Sequence, residues 1–357
     1  MDLELHGLFI HLVRLGIGSS DDLCIPDTID WKALEAVANE QGLLDIVVDG
    51  IDRLPLSIRP EKKALLQLIG QTQQKEYQYA VQQKTAAEMA ILLYHHGIKT
   101  YVLKGAVVAE CYPKPSHRVS VDMDCYVLPT DGNADVWEKA NKTIEDAGFD
   151  VDRGYYKNST FYLPGLNVEN HRFITPFRGN KSLKRLEKLL QSLMVEDKGE
   201  DFFEWTRLLR PPLMVSALFL IEHSYSHFLH EGLTWRHILD WMMFSKRHNN
   251  ELDWYEFEER VNEFGLRKFY DSYARLGRFL VGEIGDVSLS ENDRLMLADV
   301  WMPLDLHETV RGVKGKLSLA GNTWRARWKY KYFTDISWIR ALWIQVKGFI
   351  FLSHPRL

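Results

Sequence analysis

The sequence is poor in the features that most directly announce a function. Cysteine is scarce: Cys24, Cys111 and Cys125 are the only three in 357 residues. An odd count without a C-x-x-C pair indicates neither a disulfide framework nor a cysteine zinc site. No apolar run approaches the ~18 residues of a membrane-spanning helix. The opening MDLELHGLFIHLVRLG places acids ahead of its apolar stretch and has no basic n-region, so it does not read as a signal peptide, and a reducing cytoplasm is the expected compartment. Neither sign of charge dominates. The 44 Lys and Arg against 49 Asp and Glu leave a formal net charge of −5, so no global field draws in nucleic acid or an anionic membrane, and any such partner needs a local patch. There is no internal repeat, no Walker loop, no G-x-G-x-x-G and no G-x-S-x-G nucleophile elbow.

The chain does have an ordinary globular composition, 46% hydrophobic and 26% charged, with length for one large domain or two to three smaller ones. Residues 1–72 form an N-terminal helical region, in which Asp30 reads as an N-cap ahead of a Leu34, Val37, Ala38 stripe. A long amphipathic helix is predicted from about Pro60 to His96, with Gly97 as its stop. Residues 73–180 hold the change of character. Short β-type runs at 98–103, 119–128, 161–163 and 166–174 alternate with helical patterns, and Pro164-Gly165 joins the last two runs as a turn. This alternation predicts an α/β (α+β) fold, a small mixed sheet flanked by helical regions at both ends of the chain. Residues 181–321 return to helical periodicity as a C-terminal lobe. Residues 322–357 form a basic, tryptophan-rich segment, with seven Lys and Arg against one acid, Asp335, and with Trp324, Trp328, Trp338 and Trp343. That segment reads either as a helical layer packed on the lobe, basic side chains outward, or as a contact for a partner or membrane surface.

Within the second strand lies SVDMDCYV. Residues i and i+2 of a strand share a face, so Asp122 and Asp124 present two carboxylates together while Val121, Met123 and Cys125 point to a core. Adjacent carboxylates repel and raise one another's pKa, and a hard divalent cation relieves this: Mg²⁺ takes one or two carboxylates plus substrate phosphates. On the repulsion argument alone, Asp124→Asn is expected to weaken the fold little. Upstream, Leu103-Lys104-Gly105 ends one strand and opens a helix, a turn at which glycine lets backbone approach a phosphate.

The blocks LKGAVVAECYP (103–113) and HRVSVDMDCYVLP (117–129) resemble the DNA polymerase β-like nucleotidyltransferase superfamily. More narrowly, they resemble a bacterial family of uncharacterised nucleotidyltransferases with an LKG turn and an R-x-x-x-D-h-D strand, h being apolar. ALFLIEHSYSHFLHEGLTWRHILDW (217–241) is similar to the second half of that family, more loosely. The resemblance implies Mg²⁺ (or Mn²⁺) at Asp122 and Asp124, a nucleoside triphosphate as substrate, an acceptor that is not specified, and a third carboxylate on a later strand. The candidate is Glu169 in LNVENHRFI, which shares strand parity with His171 and serves as a further metal ligand or as general base. The wider superfamily has Gly-Gly or Gly-Ser at the turn. Here it is Lys104-Gly105, with Lys104 offering a point charge to a phosphate. Arg118 and Ser120, placed on the parity of Asp122, are a phosphate or carboxylate partner and a lining residue. The alternative within the same fold is a catalytically inactive nucleotide-binding or protein-interaction module.

Three histidines remain. His223, His227 and His230 fall at i, i+4 and i+7, and i, i+4 pairs can chelate zinc. The glutamate of an H-E-x-x-H motif is missing, so metal binding, cleft lining and simple packing stay open. Arg236 and Asp240, at i, i+4, read as a helix-stabilising pair.

Overall fold

The computed structural model describes residues 3–19, 26, 28–132, 135–177, 180–197, 200–201, 206–302 and 324–343. Three helices lead: α1 (Leu3–Gly16), α2 (Trp31–Glu40) and α3 (Leu44–Asp52). The Asp30 carboxylate caps α2 by accepting from the Lys32 and Ala33 amides, and Gly16 and Gly50 let α1 and α3 meet backbone to backbone. The long helix α4 (Lys62–His95) follows and stops where Gly97 turns to φ +74°. The expected boundary between 72 and 73 therefore falls inside a continuous helix.

The sheet comprises β1 (Ile98–Val102), β2 (Asp122–Pro129), β3 (Val151–Asp152), β4 (Asn158–Leu163), β5 (Leu166–His171), β6 (Glu200–Asp201) and β7 (Leu208–Arg210), in the order β3-β4-β5-β2-β1-β7-β6. β1 runs antiparallel to β2 and parallel to β7, and β2 runs parallel to β5. The short helix α5 (Ala106–Ala109) connects β1 towards β2, α6 (Trp137–Asp146) follows β2, and α7 (Lys181–Glu196) follows β5. β6 and β7 lie beyond residue 180, so the sheet draws on the region read as purely helical. The lobe is built from α8 (Leu213–His230), α9 (Trp235–Arg247), α10 (Trp254–Glu263), α11 (Arg267–Leu280) and α12 (Glu291–Trp301), with α13 (Arg327–Phe333) from the basic segment.

Alternation along each strand gives the sheet two apolar faces, and two cores result. On one face Met123, Cys125 and Val127 of β2 pack with Val168 of β5, Ala86, Met89 and Ala90 of α4 and Ala140 and Ile144 of α6. On the other, Tyr101, Tyr126 and Leu209 join one large core shared by α1–α3 and α8–α11. The two terminal helical regions are thus a single packed body laid over one face of the sheet. At the far edge of that body Trp328 and Phe333 pack on Phe228, and Lys329 is fully buried, its ammonium bound to Asp299 Oδ2 (2.7 Å) and the Phe228 carbonyl (2.6 Å). The expected layer is present in part: Trp328 packs on the lobe, Trp324 and Trp343 are exposed, and Lys329 lies inside rather than outside. Residues 344–357 lie outside the described residues. Among the described helices, none is long and apolar enough to cross a membrane.

Candidate functional site

The lobe-facing side of the sheet carries the carboxylates. β2 begins at Asp122 rather than Val119, so Val121 is exposed at 69%. The parallel register of β2 and β5 sets Asp124 directly opposite Glu169, with Asp122 opposite Asn167. Asp124 is buried, Asp122 half-buried, and Glu169 keeps 32% of its side chain exposed. Two groups grip Asp124: the Lys104 ammonium lies 2.9 Å from Oδ2, and His171 Nε2, itself wholly buried, lies 2.9 Å from Oδ1. His171 Nε2 is also 3.6 Å from Glu169 Oε2.

These contacts split the two aspartates electrostatically. Burial pushes Asp124 up, but Lys104 and the His171 hydrogen bond prevail and hold it well below the usual carboxylate range. Burial and the charge of Asp124 push Asp122 up, with Glu169 adding to it. The expectation that Asp124→Asn spares the fold is therefore corrected: the repulsion falls on Asp122, whereas the buried Asp124 is the counter-ion of the half-buried Lys104.

The turn before the site is built around Gly105, at φ +74° and ψ −103°. A Cβ there would stand 3.0 Å from Ser120 Oγ and 3.6 Å from the Asp122 carbonyl oxygen. Ser120 Oγ donates to that carbonyl (2.8 Å), and Leu103 N–H donates to Asp124 O (2.9 Å). The glycine thus admits close packing of the turn against the start of β2. Arg118 lies off the strand, so the parity assigned to it does not apply. It is buried, and Nε and Nη2 bind Asp240 Oδ1 and Oδ2 at 3.0 and 2.6 Å, with Tyr112 O–H donating to Oδ1 at 2.8 Å. Of the two partners expected for Arg118, the structure supplies a carboxylate on α9. Asp240 consequently pairs across the cleft rather than with Arg236 on its own helix.

Opposite the carboxylates, α8 and α9 bring together His223, His227 and His237, not His230. Their ring centroids lie 4.4, 4.8 and 6.3 Å apart. Lys104 Nζ, already on Asp124, is 2.9 Å from His223 Nε2. The Thr234 N–H approaches His237 Nδ1 (3.2 Å), and His227 Nδ1 faces Glu231 Oε2 (2.9 Å). Burial, then Lys104, push His223 well below its ordinary pKa; burial, then His227 and Arg236, do the same to His237. Between the two walls lies a cleft of about 1400 Å³, lined by Lys104, Asp122, Asp124 and Glu169 on one side and His223 and Arg236 on the other.

The carboxylate wall offers donors to a divalent cation. Ligand atoms of Asp124, Glu169 and His171 lie within 4.8 Å of one another, a set that takes in His171 and leaves out Asp122. Three carboxylates (Asp122, Asp124 and Glu169) face one contacting ammonium, which leaves two formal negative charges for a hard ion to neutralise. The imidazole cluster fits a cation poorly, with Lys104 donating to one ring and Arg236 next in sequence to another. His171 could have been found from its strand parity with Glu169. His237 and Arg236 lie within the 217–241 block, but no spacing rule marks them for the site, and they reach the cleft through the packing of α9 on α8.

A small mixed sheet with Asp-x-Asp on one strand, a third acid in register on its parallel neighbour and a glycine turn ahead of them defines a nucleotidyltransferase-type core. A family model described as uncharacterised nucleotidyltransferase matches residues 27–282, and the chain belongs to that family. The chain matches no curated protein and no solved structure.

Proposed function

We propose that the protein transfers a nucleoside monophosphate from a nucleoside triphosphate to a hydroxyl- or phosphate-bearing acceptor, with release of pyrophosphate. One observation carries the reading: Asp124 and Glu169 are register partners on adjacent parallel strands, and with Asp122 they face one cleft. Asp122, Asp124 and Glu169 are the residues to hold Mg²⁺ (or Mn²⁺), which supplies charge neutralisation of the phosphates and activation of the attacking oxygen. His171 keeps the Asp124 carboxylate in a single orientation, as an outer partner does for a ligating group. Lys104 offsets charge beside Asp124 and offers a point charge to a phosphate oxygen. Glu169, with 32% of its side chain exposed, is alternatively the base that takes the proton of an acceptor hydroxyl at a carboxylate oxygen. Gly105 keeps the turn pressed against Ser120, and with it the start of β2 in place.

The test is calorimetric titration of each of the four nucleoside triphosphates with Mg²⁺, on wild type, Asp122→Asn and Glu169→Gln, followed by assay of pyrophosphate release. Metal-dependent binding that both substitutions abolish is expected. Binding left intact by both would reject the carboxylate site, and tight binding without turnover on any acceptor would leave a nucleotide-binding module.

A further inference from the structure

We propose that the α8–α9 wall of the cleft is a phosphate-binding subsite, with Arg236 as its anchor and Lys104 and the imidazoles of His223, His227 and His237 as its flanks. Arg236 is fixed in place but, among the described residues, makes no ion pair. Its stem lies against Gly42, where a Cβ would come within 3.3 Å of Arg236 Cδ. Nη1 donates to the Val119 carbonyl (3.2 Å), whereas Nε is buried without a hydrogen-bond partner. Among the described residues, no carboxylate lies within ion-pair distance of the guanidinium. Asp240, one turn further along α9, is occupied by Arg118 and Tyr112. Burial, and then Arg118, push the pKa of Arg236 below its ordinary value, and Asp240, Tyr112 and Asp122 only partly offset them. Arg236 is half-buried at the cleft wall, and a partly desolvated charge with no contacting counter-ion is stabilised by an anion that arrives from outside.

The neighbourhood fits a phosphate better than a smaller anion. Arg236 still has N–H groups in a planar fork suited to phosphate oxygens. His237 follows it on α9, His223 and His227 lie one helix away, and Lys104 bridges to the carboxylate wall. These donors are spread over rings up to 6.3 Å apart, more than the two oxygens of a carboxylate can occupy. The wall faces Asp122, whose charge Arg236 feels, so a phosphate held there is beside the metal-binding carboxylates. Whether it belongs to the donor's polyphosphate or to the acceptor rests on the nucleotidyltransferase reading; the lack of a contacting counter-ion among the described residues does not.

The probe is inorganic pyrophosphate, titrated calorimetrically without divalent metal in the presence of a chelator. Wild type is expected to bind it. Arg236→Gln should weaken binding at least ~10-fold, the scale of one lost charge-assisted bond pair, and Arg236→Lys should retain part of it. His227→Gln should weaken binding several-fold. A structural arginine, when replaced, lowers Tm; here Arg236→Gln should leave Tm unchanged or raise it while affinity falls. Asp122→Asn should keep metal-free pyrophosphate binding even where it loses Mg²⁺-dependent nucleotide binding, so the two proposals fail separately. Two arms locate the phosphate. Loss of triphosphate but not monophosphate affinity in Arg236→Gln assigns the donor. Unchanged triphosphate affinity with loss of inorganic phosphate binding to the nucleotide-saturated protein assigns the acceptor. No pyrophosphate binding by wild type, or equal binding by Arg236→Gln, overturns the subsite.

Discussion

Replacing each carboxylate of the Asp122–Asp124 pair by its amide should separate two residues that the sequence presents as equals. Asp124→Asn removes the partner of Lys104 and turns a charge-assisted bond from His171 into a neutral one. Breaking a buried ion pair costs roughly 3–5 kcal/mol. Lys104 keeps 13% of its side chain exposed and a second contact at His223, which puts the loss near the lower end, about 3 kcal/mol. At about 2 °C per kcal/mol for a chain of this size, Tm should fall by roughly 6 °C. Asp122→Asn relieves repulsion and should leave Tm unchanged or higher. The pH dependence has opposite signs. Asp124, depressed in the fold, contributes stability that is complete above the unfolded carboxylate pKa of about 3.9 and is lost as pH falls through its lower folded value. The Asp124→Asn deficit should therefore persist from neutral pH to about pH 4 and close below it. Asp122, raised in the fold, weakens the wild type as pH climbs above about 3.9, so the relative gain of Asp122→Asn should grow with pH and vanish in acid. Scanning calorimetry in metal-free buffer across that range reads both. Equal Tm losses for the two variants, or no loss for Asp124→Asn, would refute the division of roles.

Three further substitutions probe other parts of the structure. Gly105→Ala forces a side chain into a backbone conformation at φ +74° and against Ser120 Oγ, and should lose about 1–3 kcal/mol in urea unfolding together with nucleotide affinity. Lys329→Met leaves Asp299 buried without its cation and should cost roughly 3–5 kcal/mol, most of it recovered by adding Asp299→Leu; an unchanged midpoint would mean that α13 is not part of the lobe in solution. Glu222, on α8 at the cleft, is raised by burial to about 8. The wild type should lose stability relative to Glu222→Gln as pH rises from about 4.5 to about 8 and no further above that, and a pH-independent difference in Tm would contradict it.

Much of the architecture was legible because local rules were strong. Asp30 caps α2, Gly97 ends α4, and Pro164-Gly165 turns β4 into β5, each for a reason confined to a few residues. Period-two alternation put Asp122 and Asp124 on one face and Met123 and Cys125 on the other. It failed at Val119–Val121, because where a strand begins depends on which neighbours it finds to pair with. Arg118 illustrates the same limit: its partner Asp240 is 122 residues away, and no spacing rule reaches that far.

The sequence by itself determined most of the longer elements, though not β6 and β7, together with the glycine turn, the aspartate pair and the membership of Glu169 in a strand, since these follow from backbone preference and side-chain period. Tertiary structure alone decided the rest. Strand register set Glu169 opposite Asp124. Burial and contacts gave Asp124 its lysine and left Asp122 with the repulsion. The packing of α9 on α8 exchanged His230 for His237 and brought Arg236 to the cleft. Charge balance at a site is a sum over whatever the fold assembles there, and a linear chain records the charges without recording which of them meet.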